Sequence, residues 1–250
     1  MDGFSVITMN LRFGLADDGE NSWRQRKKIY PDFLQRFRAD IFCFQEANDF
    51  QVDFLKELLP DYQVLGCREG APEQWQHNPV FVSSAFTVAG SRHFFLSDTP
   101  DVESRFEGSR WPRQGVLVQL DSSAGRFAVL NTHFDFAEDV QVKSAALMLS
   151  LLRMNPENLP VLLAGDLNAG PCSAALELLT GGGEQRFRNP FGADFPPTFH
   201  GFTGRGRGDQ IDWILVSGPL EVKGMDRLDV SLGGLYPSDH FPVRLFFRLE

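Results

Sequence analysis

The chain has 250 residues, of which 42% are hydrophobic, and a formal net charge of −9 at pH 7. This length can bury a substantial core, and we expect a single domain over residues 1–250. The acidic balance disfavours broad electrostatic binding to nucleic acids or anionic membranes, and no apolar run is long enough to predict membrane insertion. The N-terminus lacks the basic and long apolar segments of a secretion signal, so we expect a cytoplasmic protein.

Strand-like apolar runs recur along the whole chain. Several are continuously apolar, as expected for strands in a sheet that is covered on both faces. The predicted strands have the sequences FSVITMN, IFCFQ, YQVLG, PVFVS, GVLVQL, RFAVLNTH, PVLLAGD, IDWILVS and FPVRLFFRL.

Three segments have the pattern of a helix. The first, 23–38, contains Pro31, which should kink or split it. The second, 138–154, carries acids in its first turn and an arginine in its last, as the helix dipole favours. The third follows Pro171 and reads CSAALELLT. Many strands with helices between and outside them favour two packed sheets covered by helices.

The three cysteines, Cys43, Cys67 and Cys172, form no C-x-x-C pair. An odd number without such spacing argues against both a disulfide framework and a zinc site. We therefore expect buried free thiols.

Polar side chains gather where the predicted strands begin or end. Strand ends carry Asn10, Glu46, His133, Asp135, Asp166 and Asn168, whereas Asp212 and the pair Asp239–His240 come at the start of the last two strands. Each residue alone has a structural explanation as a turn or a helix cap. Because strand ends converge in layered α/β folds, we expect the set to meet in one pocket.

The chemistry of this set predicts a divalent-metal site beside an acid–base pair. Carboxylate and amide oxygens without a cysteine cluster favour Mg²⁺ or Mn²⁺ over zinc. A histidine beside a separate acid can deprotonate water or stabilise a developing charge, and a second histidine and an amide can bind phosphate oxygens. Together these groups suit metal-assisted hydrolysis at phosphorus.

One further segment has a distinct charge pattern. Residues 186–208 contain four arginines, which are Arg186, Arg188, Arg205 and Arg207, and a single acid, Asp194. The segment is either a solvated loop or a rim that faces phosphate, because arginine favours bidentate contacts with phosphate.

Six sequence blocks carry a resemblance to a known family. They read TMNLRF, FQEAND, NTHFD, LAGDLNAGP, GDQIDWILVS and YPSDHFPV, and they span Thr8 to Val243. In this order they resemble the endonuclease/exonuclease/phosphatase (DNase I-like) superfamily. Other segments are similar to a bacterial branch on its deadenylase-like side. The resemblance implies a four-layer α/β sandwich, in which two mixed β-sheets lie face to face between helices.

The resemblance also implies a metal site and a histidine–acid pair. Glu46 would be the principal Mg²⁺ ligand, with Asn10 and Asp239 close to the ion directly or through water. His240 would be the general base or would stabilise the transition state. Asp212 would hold its imidazole in one orientation.

Three more residues receive roles from the resemblance. Asp166 would position or deprotonate the attacking water, and Asn168 would contact the scissile phosphate. His133 would bind a phosphate oxygen and could protonate the leaving group. Whether Asp166 or His240 takes the proton stays open.

Other candidates for substrate contact are less firmly tied to the family pattern. Asp135 would share a strand side with His133 if the strand continues. Arg113 stands where relatives often carry an arginine, and it would contact phosphate or pair with a nearby acid. Trp111 and Phe199–His200 belong either to the core or to a wall of the substrate site.

The function predicted from these observations is metal-dependent hydrolysis of phosphoester bonds, as a phosphodiesterase or phosphatase. One alternative is a nuclease acting on DNA or single-stranded RNA. Another is an inactive binding scaffold, which the presence of Glu46, Asp166 and His240 disfavours. We expect a phosphorylated small molecule or a nucleic-acid end as substrate, and the sequence indicates no obligate protein partner.

Overall fold

A computed structural model of the chain describes residues 3–154, 159–182, 186–192 and 194–250. Its strands are β1 (Phe4–Asn10), β2 (Ile41–Gln45), β3 (Tyr62–Leu65), β4 (Val80–Ser83), β5 (Thr87–Phe95), β6 (Gln114–Ser122), β7 (Gly125–His133), β8 (Val161–Asp166), β9 (Asp212–Ser217), β10 (Leu220–Arg227) and β11 (Val243–Leu249). Its α-helices are α1 (Trp23–Arg26), α2 (Tyr30–Arg36), α3 (Asp49–Leu58), α4 (Glu138–Arg153) and α5 (Ala174–Thr180).

The strands form two mixed sheets, as the sequence predicted. The first has six strands in the order β10-β11-β1-β2-β4-β3, and the second has five in the order β5-β6-β7-β8-β9. Within the first sheet β1 and β2 run parallel, and within the second β7 and β8 do so. The neighbours β11 of β1 and β9 of β8 run antiparallel. In the first sheet, the C-terminal ends of β1 and β2 therefore lie at the same end of the strands as the start of β11. In the second sheet, the C-terminal ends of β7 and β8 lie at the same end as the start of β9.

Alternating side chains along the strands build the four layers. In β1, Val6 faces the core shared with the second sheet, whereas Ile7 and Met9 face the core under the helices. In β2, Phe42 and Phe44 pack with Tyr30, Phe33 and Leu55, which belong to α2 and α3. On the other side of the molecule α4 and α5 cover the second sheet. The predicted sandwich is confirmed.

The helix predicted over 23–38 is split close to Pro31. Helix α1 is followed by a 3-10 turn at Lys27–Ile29, and α2 then begins with the proline in its first turn. Proline is tolerated there because the first N–H groups of a helix have no intrahelical partner. The other two predicted helices are present as α4 and α5, and the structure adds α3.

Two strands were missed by the search for apolar runs. Both β5 and β10 lie at sheet edges. Along most of β5 exposed side chains alternate with half-buried ones, and most side chains of β10 are half-buried. An edge strand has less apolar surface to bury, so its sequence is more polar. The prediction of buried thiols is correct for Cys43 and wrong for Cys67 and Cys172, which are free but exposed.

In the part of the chain that the structure describes, no helix has the length and apolar character needed to cross a membrane.

Candidate active site

The predicted polar residues meet in one cleft between the ends of the two sheets. Asn10 ends β1 and Glu46 directly follows β2, while His133 ends β7 and Asp166 ends β8. In the second sheet Asp166 pairs with His133 on one side and with Asp212 on the other. The segment before β11 brings Asp239 and His240 to the same place.

Asn10 joins carboxylates that come from different sheets. Its Nδ2 donates to Glu46 Oε1 and to Asp166 Oδ2, both at 3.0 Å. The second oxygen of Glu46 accepts from the backbone N–H of Phe13 at 2.6 Å. Glu46 itself has a positive φ of 58°, an uncommon conformation for a residue with a side chain. The turn that breaks the parallel strand therefore aims this carboxylate into the cleft.

His240 lies in hydrogen-bond contact with Asp212. The His240 Nδ1 atom lies 2.8 Å from Asp212 Oδ2, and both residues are buried. The other ring nitrogen, Nε2, lies 3.9 Å from Asp166 Oδ2. The second oxygen of Asp212 is buried with no hydrogen-bond partner among the described residues. One ring nitrogen is therefore fixed by an acid, and the other faces a second acid.

Asn168 and His133 lie on the opposite side of Asp166. The Asn168 backbone N–H donates to Asp166 Oδ1 at 2.9 Å, and the Asn168 side-chain Nδ2 lies 3.1 Å from His133 Nε2. The same ring nitrogen of His133 is 3.5 Å from Asp166 Oδ2. Asn168 adopts a φ of 47°, which asparagine tolerates better than most residues.

The spacing between β7 and β8 depends on Gly165, which has a φ of 150°. A Cβ atom at Gly165 would lie 1.9 Å from the carbonyl oxygen of Thr132 in the neighbouring strand. Only glycine allows β8 to approach β7 this closely. Its absence of a side chain sets the spacing between His133 and Asp166.

Asp239 lies beside an arginine that the sequence analysis did not assign. Arg12 Nε is 3.7 Å from Asp239 Oδ2, and the same guanidinium forms two hydrogen bonds to Asp18. The bond to Asp18 raises the pKa of Arg12 above its ordinary value, and the charges of Asp239 and Glu46 add to this rise against the effect of burial. Arg12 therefore lies close to two of the three predicted metal ligands. The only sequence signal is its place two residues after Asn10 in TMNLRF.

Burial and neighbouring charges shift the pKa values of Asp166, His240 and His133 in different directions. Burial and the charge of Asp212 raise the pKa of Asp166 to about 7. Burial alone would lower the pKa of His240, but the charges of Asp212 and Asp166 outweigh it and hold that pKa well above its ordinary value. Burial and the positive charge of Arg113 keep the pKa of His133 well below its usual range. His133 is therefore neutral, and His240 favours the imidazolium form.

Asp135 and Arg113 form a second pair next to His133. Arg113 Nε is 3.6 Å from Asp135 Oδ2, yet this buried nitrogen makes no hydrogen bond within the described residues. Asp135 instead accepts hydrogen bonds from the backbone N–H groups of Arg110 and Phe136 at 3.0 and 2.8 Å. Burial raises the pKa of Asp135, but the hydrogen bonds from Arg110 and Ser109 and the charge of Arg113 outweigh it and lower that pKa overall. The carboxylate of Asp135 is therefore occupied by hydrogen bonds to the loops around it. The Nε donor of Arg113 has no hydrogen-bond partner within the described residues.

A cavity of about 570 Å³ opens from this cleft to solvent. Its wall is formed by Arg12, Phe13, Glu46, Pro72, Gln74, Trp75, Gln76, Asn78, Glu103, Trp111, Pro112, Arg113, Gln114, His133 and Phe136. The predicted wall residue Trp111 is therefore present. Phe199 packs edge-on against the ring of His240, with ring centroids 5.1 Å apart.

The structure decides between alternatives that the sequence left open for two parts of the surroundings. His200 is fully buried and stacks on Phe241, so it belongs to the core and not to a substrate wall. Arg188 pairs with Val216 near the far end of β9, and its side chain binds the carbonyl of Leu220, so this part of 186–208 lies away from the cleft. Arg186 likewise binds the carbonyl of Leu178.

Two arrangements of side chains could hold a cation. Among the described residues, Asp166, Asp212 and His240 bring ligand atoms within 4.8 Å of one another. The second arrangement is the predicted one, in which Glu46 makes hydrogen bonds but no ion pair with any described residue. The cleft thus gathers more carboxylates than cationic side chains, which favours a bound cation.

Comparison with known proteins identifies the family and the fold. The sequence model of the endonuclease/exonuclease/phosphatase family matches residues 7–240. Among solved structures, an endonuclease/exonuclease/phosphatase family protein from Bacteroides thetaiotaomicron has 26% identity and a TM-score of 0.89, with 99% of this chain and 98% of that chain covered. No curated protein matches the sequence.

Two further solved structures resemble the chain. The mannosyl-6-phosphatase of Bacteroides thetaiotaomicron has 26% identity and a TM-score of 0.88, covering 98% of this chain and 99% of that chain. The human Nocturnin catalytic domain with bound sulfate has 19% identity and a TM-score of 0.78, covering 100% and 94%, and shares the fold. The chain therefore belongs to the endonuclease/exonuclease/phosphatase family of phosphoric ester hydrolases.

Proposed function

We propose that this chain hydrolyses phosphoester bonds with a divalent cation, Mg²⁺ or Mn²⁺, in the cleft at the strand ends. The observation that carries the proposal is the setting of Asp166. Its carboxylate accepts a hydrogen bond from Asn10 and lies 3.5 Å from His133 and 3.9 Å from His240. The residues that we propose as a metal ligand, a phosphate-binding group and an acid–base group thus all lie beside one buried acid.

The cation would be held by Glu46, Asn10 and Asp239. Glu46 lines the cavity and forms no ion pair with any described residue, so its carboxylate can bind a metal even though its charge also acts on Arg12. When bound there, the cation would offset the negative charge that develops on the phosphoryl group. The alternative position at Asp212 and His240 is less favourable, because it would disrupt their hydrogen bond of 2.8 Å.

The proton of the attacking water would be taken by Asp166 or by the neutral form of His240. The hydrogen bond from Asp212 fixes one nitrogen of His240 and leaves Nε2 directed at Asp166. In its protonated form His240 would donate to a phosphoryl oxygen and stabilise the charge of the transition state. Asp212 acts through His240, since it stabilises the imidazolium and fixes the orientation of the ring.

Phosphate oxygens would be bound by Asn168, His133 and Arg113. Asn168 Nδ2 lies 3.1 Å from His133 Nε2 and 3.1 Å from the carbonyl oxygen of Phe134, so a phosphate oxygen that displaced the contact between the two side chains would receive a donor from each of them. His133 would act as a neutral donor, because burial and Arg113 lower its pKa. Arg113 carries a charged fork whose buried Nε lacks a hydrogen-bond partner, which suits a planar contact with phosphate.

The substrate class that we favour is a phosphorylated small molecule. The relative that supports it is the mannosyl-6-phosphatase, which matches over nearly its whole length at 26% identity. Nuclease activity on DNA or single-stranded RNA is the alternative, and the net charge of −9 weighs against duplex binding.

The test is turnover of p-nitrophenyl phosphate and bis(p-nitrophenyl) phosphate with and without Mg²⁺ or Mn²⁺. We expect metal-dependent release of nitrophenol, its loss in EDTA, and a loss of at least about a hundredfold in Glu46→Ala and His240→Ala. Glu57→Ala, an exposed glutamate on α3, is the matched control and should retain activity. Absence of turnover on any phosphoester, including single-stranded RNA and nicked DNA, would support the inactive scaffold instead.

A further inference from the structure

The rim of the active-site cavity carries two large aromatic side chains that are mostly in solvent. Trp111 is 51% exposed and Phe136 is 57% exposed, and both line the cavity that contains Glu46 and His133. Exposed aromatic residues scattered singly over a surface are ordinary. A pair at the mouth of a catalytic cavity indicates a binding surface.

Both rings are held in place by the same two guanidinium groups. The guanidinium carbon of Arg113 lies 5.5 Å from the ring centre of Trp111 and 5.6 Å from that of Phe136. The guanidinium carbon of Arg110 lies 5.9 Å from each. The side chain of Arg110 makes no hydrogen bond or ion pair within the described residues, so it interacts there through these two rings. We call Arg110, Trp111, Arg113 and Phe136 the aromatic rim.

Asp135 fixes the two loops from which the rings project. It accepts hydrogen bonds from the backbone N–H of Arg110 at 3.0 Å and from that of Phe136 at 2.8 Å. The hydroxyl of Ser109 lies 2.9 Å from Asp135 Oδ2 and 2.7 Å from the carbonyl oxygen of Trp111. The aromatic rim is therefore ordered before a ligand arrives, which lowers the entropy cost of binding. This accounts for Asp135 without a direct contact to phosphate.

The wall of the same cavity also offers free hydrogen-bonding groups. The side chains of Gln74 and Gln76 line the cavity and make no hydrogen bond within the described residues. An apolar ring surface combined with amide donors and acceptors suits a ligand that has a flat apolar face and polar substituents. The cavity volume of about 570 Å³ accommodates such a ring beside a phosphoryl group.

We propose that the aromatic rim is a specificity subsite that binds the ring of a cyclic alcohol in the phosphoester substrate. The ring would stack on Trp111 and Phe136 while its phosphoryl group lies at His133. The shared chemistry is a ring with an apolar face, which a sugar phosphate and a nucleotide both provide. The inference rests on the proposed function, because it assigns the substrate of the same cleft.

The experiment compares a ring-bearing and an acyclic substrate in matched variants. Glucose 6-phosphate, adenosine 5′-monophosphate and glycerol 3-phosphate are each offered as the monoester and as the methyl diester, with Mn²⁺. We expect the wild-type kcat/KM to be higher for a ring substrate. In Trp111→Ala and Phe136→Ala the ratio of ring to acyclic kcat/KM should fall by about 5- to 150-fold, the range measured for loss of one stacking side chain.

Two controls separate stacking from a general loss of structure. Trp111→Phe keeps a ring and should retain most of the ratio. Phe246→Ala removes a ring that is 37% exposed on β11 and does not line the cavity, and it should leave the ratio unchanged. The substrate whose ratio falls identifies the source of the ring, sugar or nucleoside.

The outcomes distinguish the two proposals. Turnover of the acyclic ester with an unchanged ratio in Trp111→Ala and Phe136→Ala would overturn the subsite alone. Absence of turnover on every ester would overturn the proposed function and the subsite together.

Discussion

Replacement of Asn10 by aspartate tests the charge balance of the cleft. The substitution keeps the shape of the side chain but exchanges the Nδ2 donor for an oxygen. That donor lies 3.0 Å from a carboxylate oxygen of Glu46 and 3.0 Å from one of Asp166. Asn10→Asp therefore places a third carboxylate in contact with two others.

The expected cost follows from these distances. At an effective dielectric constant of about 20, two unit charges 3.0 Å apart repel by about 5.5 kcal/mol. The protein avoids this repulsion by keeping a proton on the new carboxyl group. For an ordinary aspartate pKa of about 3.9, that protonation costs about 5.6 kcal/mol at pH 8 and about 1.5 kcal/mol at pH 5.

The sign of the pH dependence is fixed by linkage. A carboxyl group whose pKa is raised in the folded state binds more protons there than in the unfolded state, so the free energy of unfolding falls as pH rises. In the wild type, burial and Asp212 raise the pKa of Asp166 to about 7, which is still below pH 8, so most of this group is ionised there. We expect Asn10→Asp to lose about 3 to 5 kcal/mol more than wild type between pH 5 and pH 8 in EDTA.

The assay is urea unfolding of wild type, Asn10→Asp and Asn10→Leu at both pH values. Asn10→Leu removes the two hydrogen bonds without adding charge, so its loss should depend little on pH. Mg²⁺ should stabilise Asn10→Asp more than wild type, because a cation relieves the repulsion. Equal losses for Asn10→Asp and Asn10→Leu at both pH values would refute the reasoning.

Two other substitutions test the acid pair and the strand spacing. Asp212→Asn removes the charge that faces His240 Nδ1 at 2.8 Å, and kcat on bis(p-nitrophenyl) phosphate should fall by about 10²- to 10⁴-fold with little change in KM; unchanged kcat would contradict the assigned role. Gly165→Ala brings a Cβ to 1.9 Å from the oxygen of Thr132 and should lower the free energy of unfolding by more than about 3 kcal/mol in urea. Gly182→Ala has open space around its Cβ and should change stability by less than about 0.5 kcal/mol, so equal losses in the two variants would contradict the packing argument.

The sequence predicted which polar residues lie together in the cleft, because strand direction decides which strand ends are neighbours. Asn10, Glu46, His133 and Asp166 each end an apolar run, and the parallel pairs β1–β2 and β7–β8 bring those ends together. The apolar alternation also predicted the layers. Pro31 likewise predicted the break before α2, because proline cannot continue an existing helical ladder.

What the sequence could not predict depends on contacts between distant segments. The left-handed turn at Arg12 is needed to aim its guanidinium at Asp18 and Asp239, and no local pattern specifies that turn. Charge density alone left open whether 186–208 is a solvated loop or a rim that faces phosphate. Arg188 instead satisfies the carbonyl groups of Gly218 and Leu220.

The place of the cation is the central claim, and calorimetric titration of Mn²⁺ tests it most directly. The titration compares wild type with Glu46→Gln and Asp212→Asn, which each remove one charge from one of the two possible positions. We predict that Glu46→Gln weakens Mn²⁺ binding by at least about tenfold, whereas Asp212→Asn changes it by less than about threefold. A larger loss of Mn²⁺ affinity in Asp212→Asn than in Glu46→Gln would contradict the account and would place the cation at Asp166, Asp212 and His240.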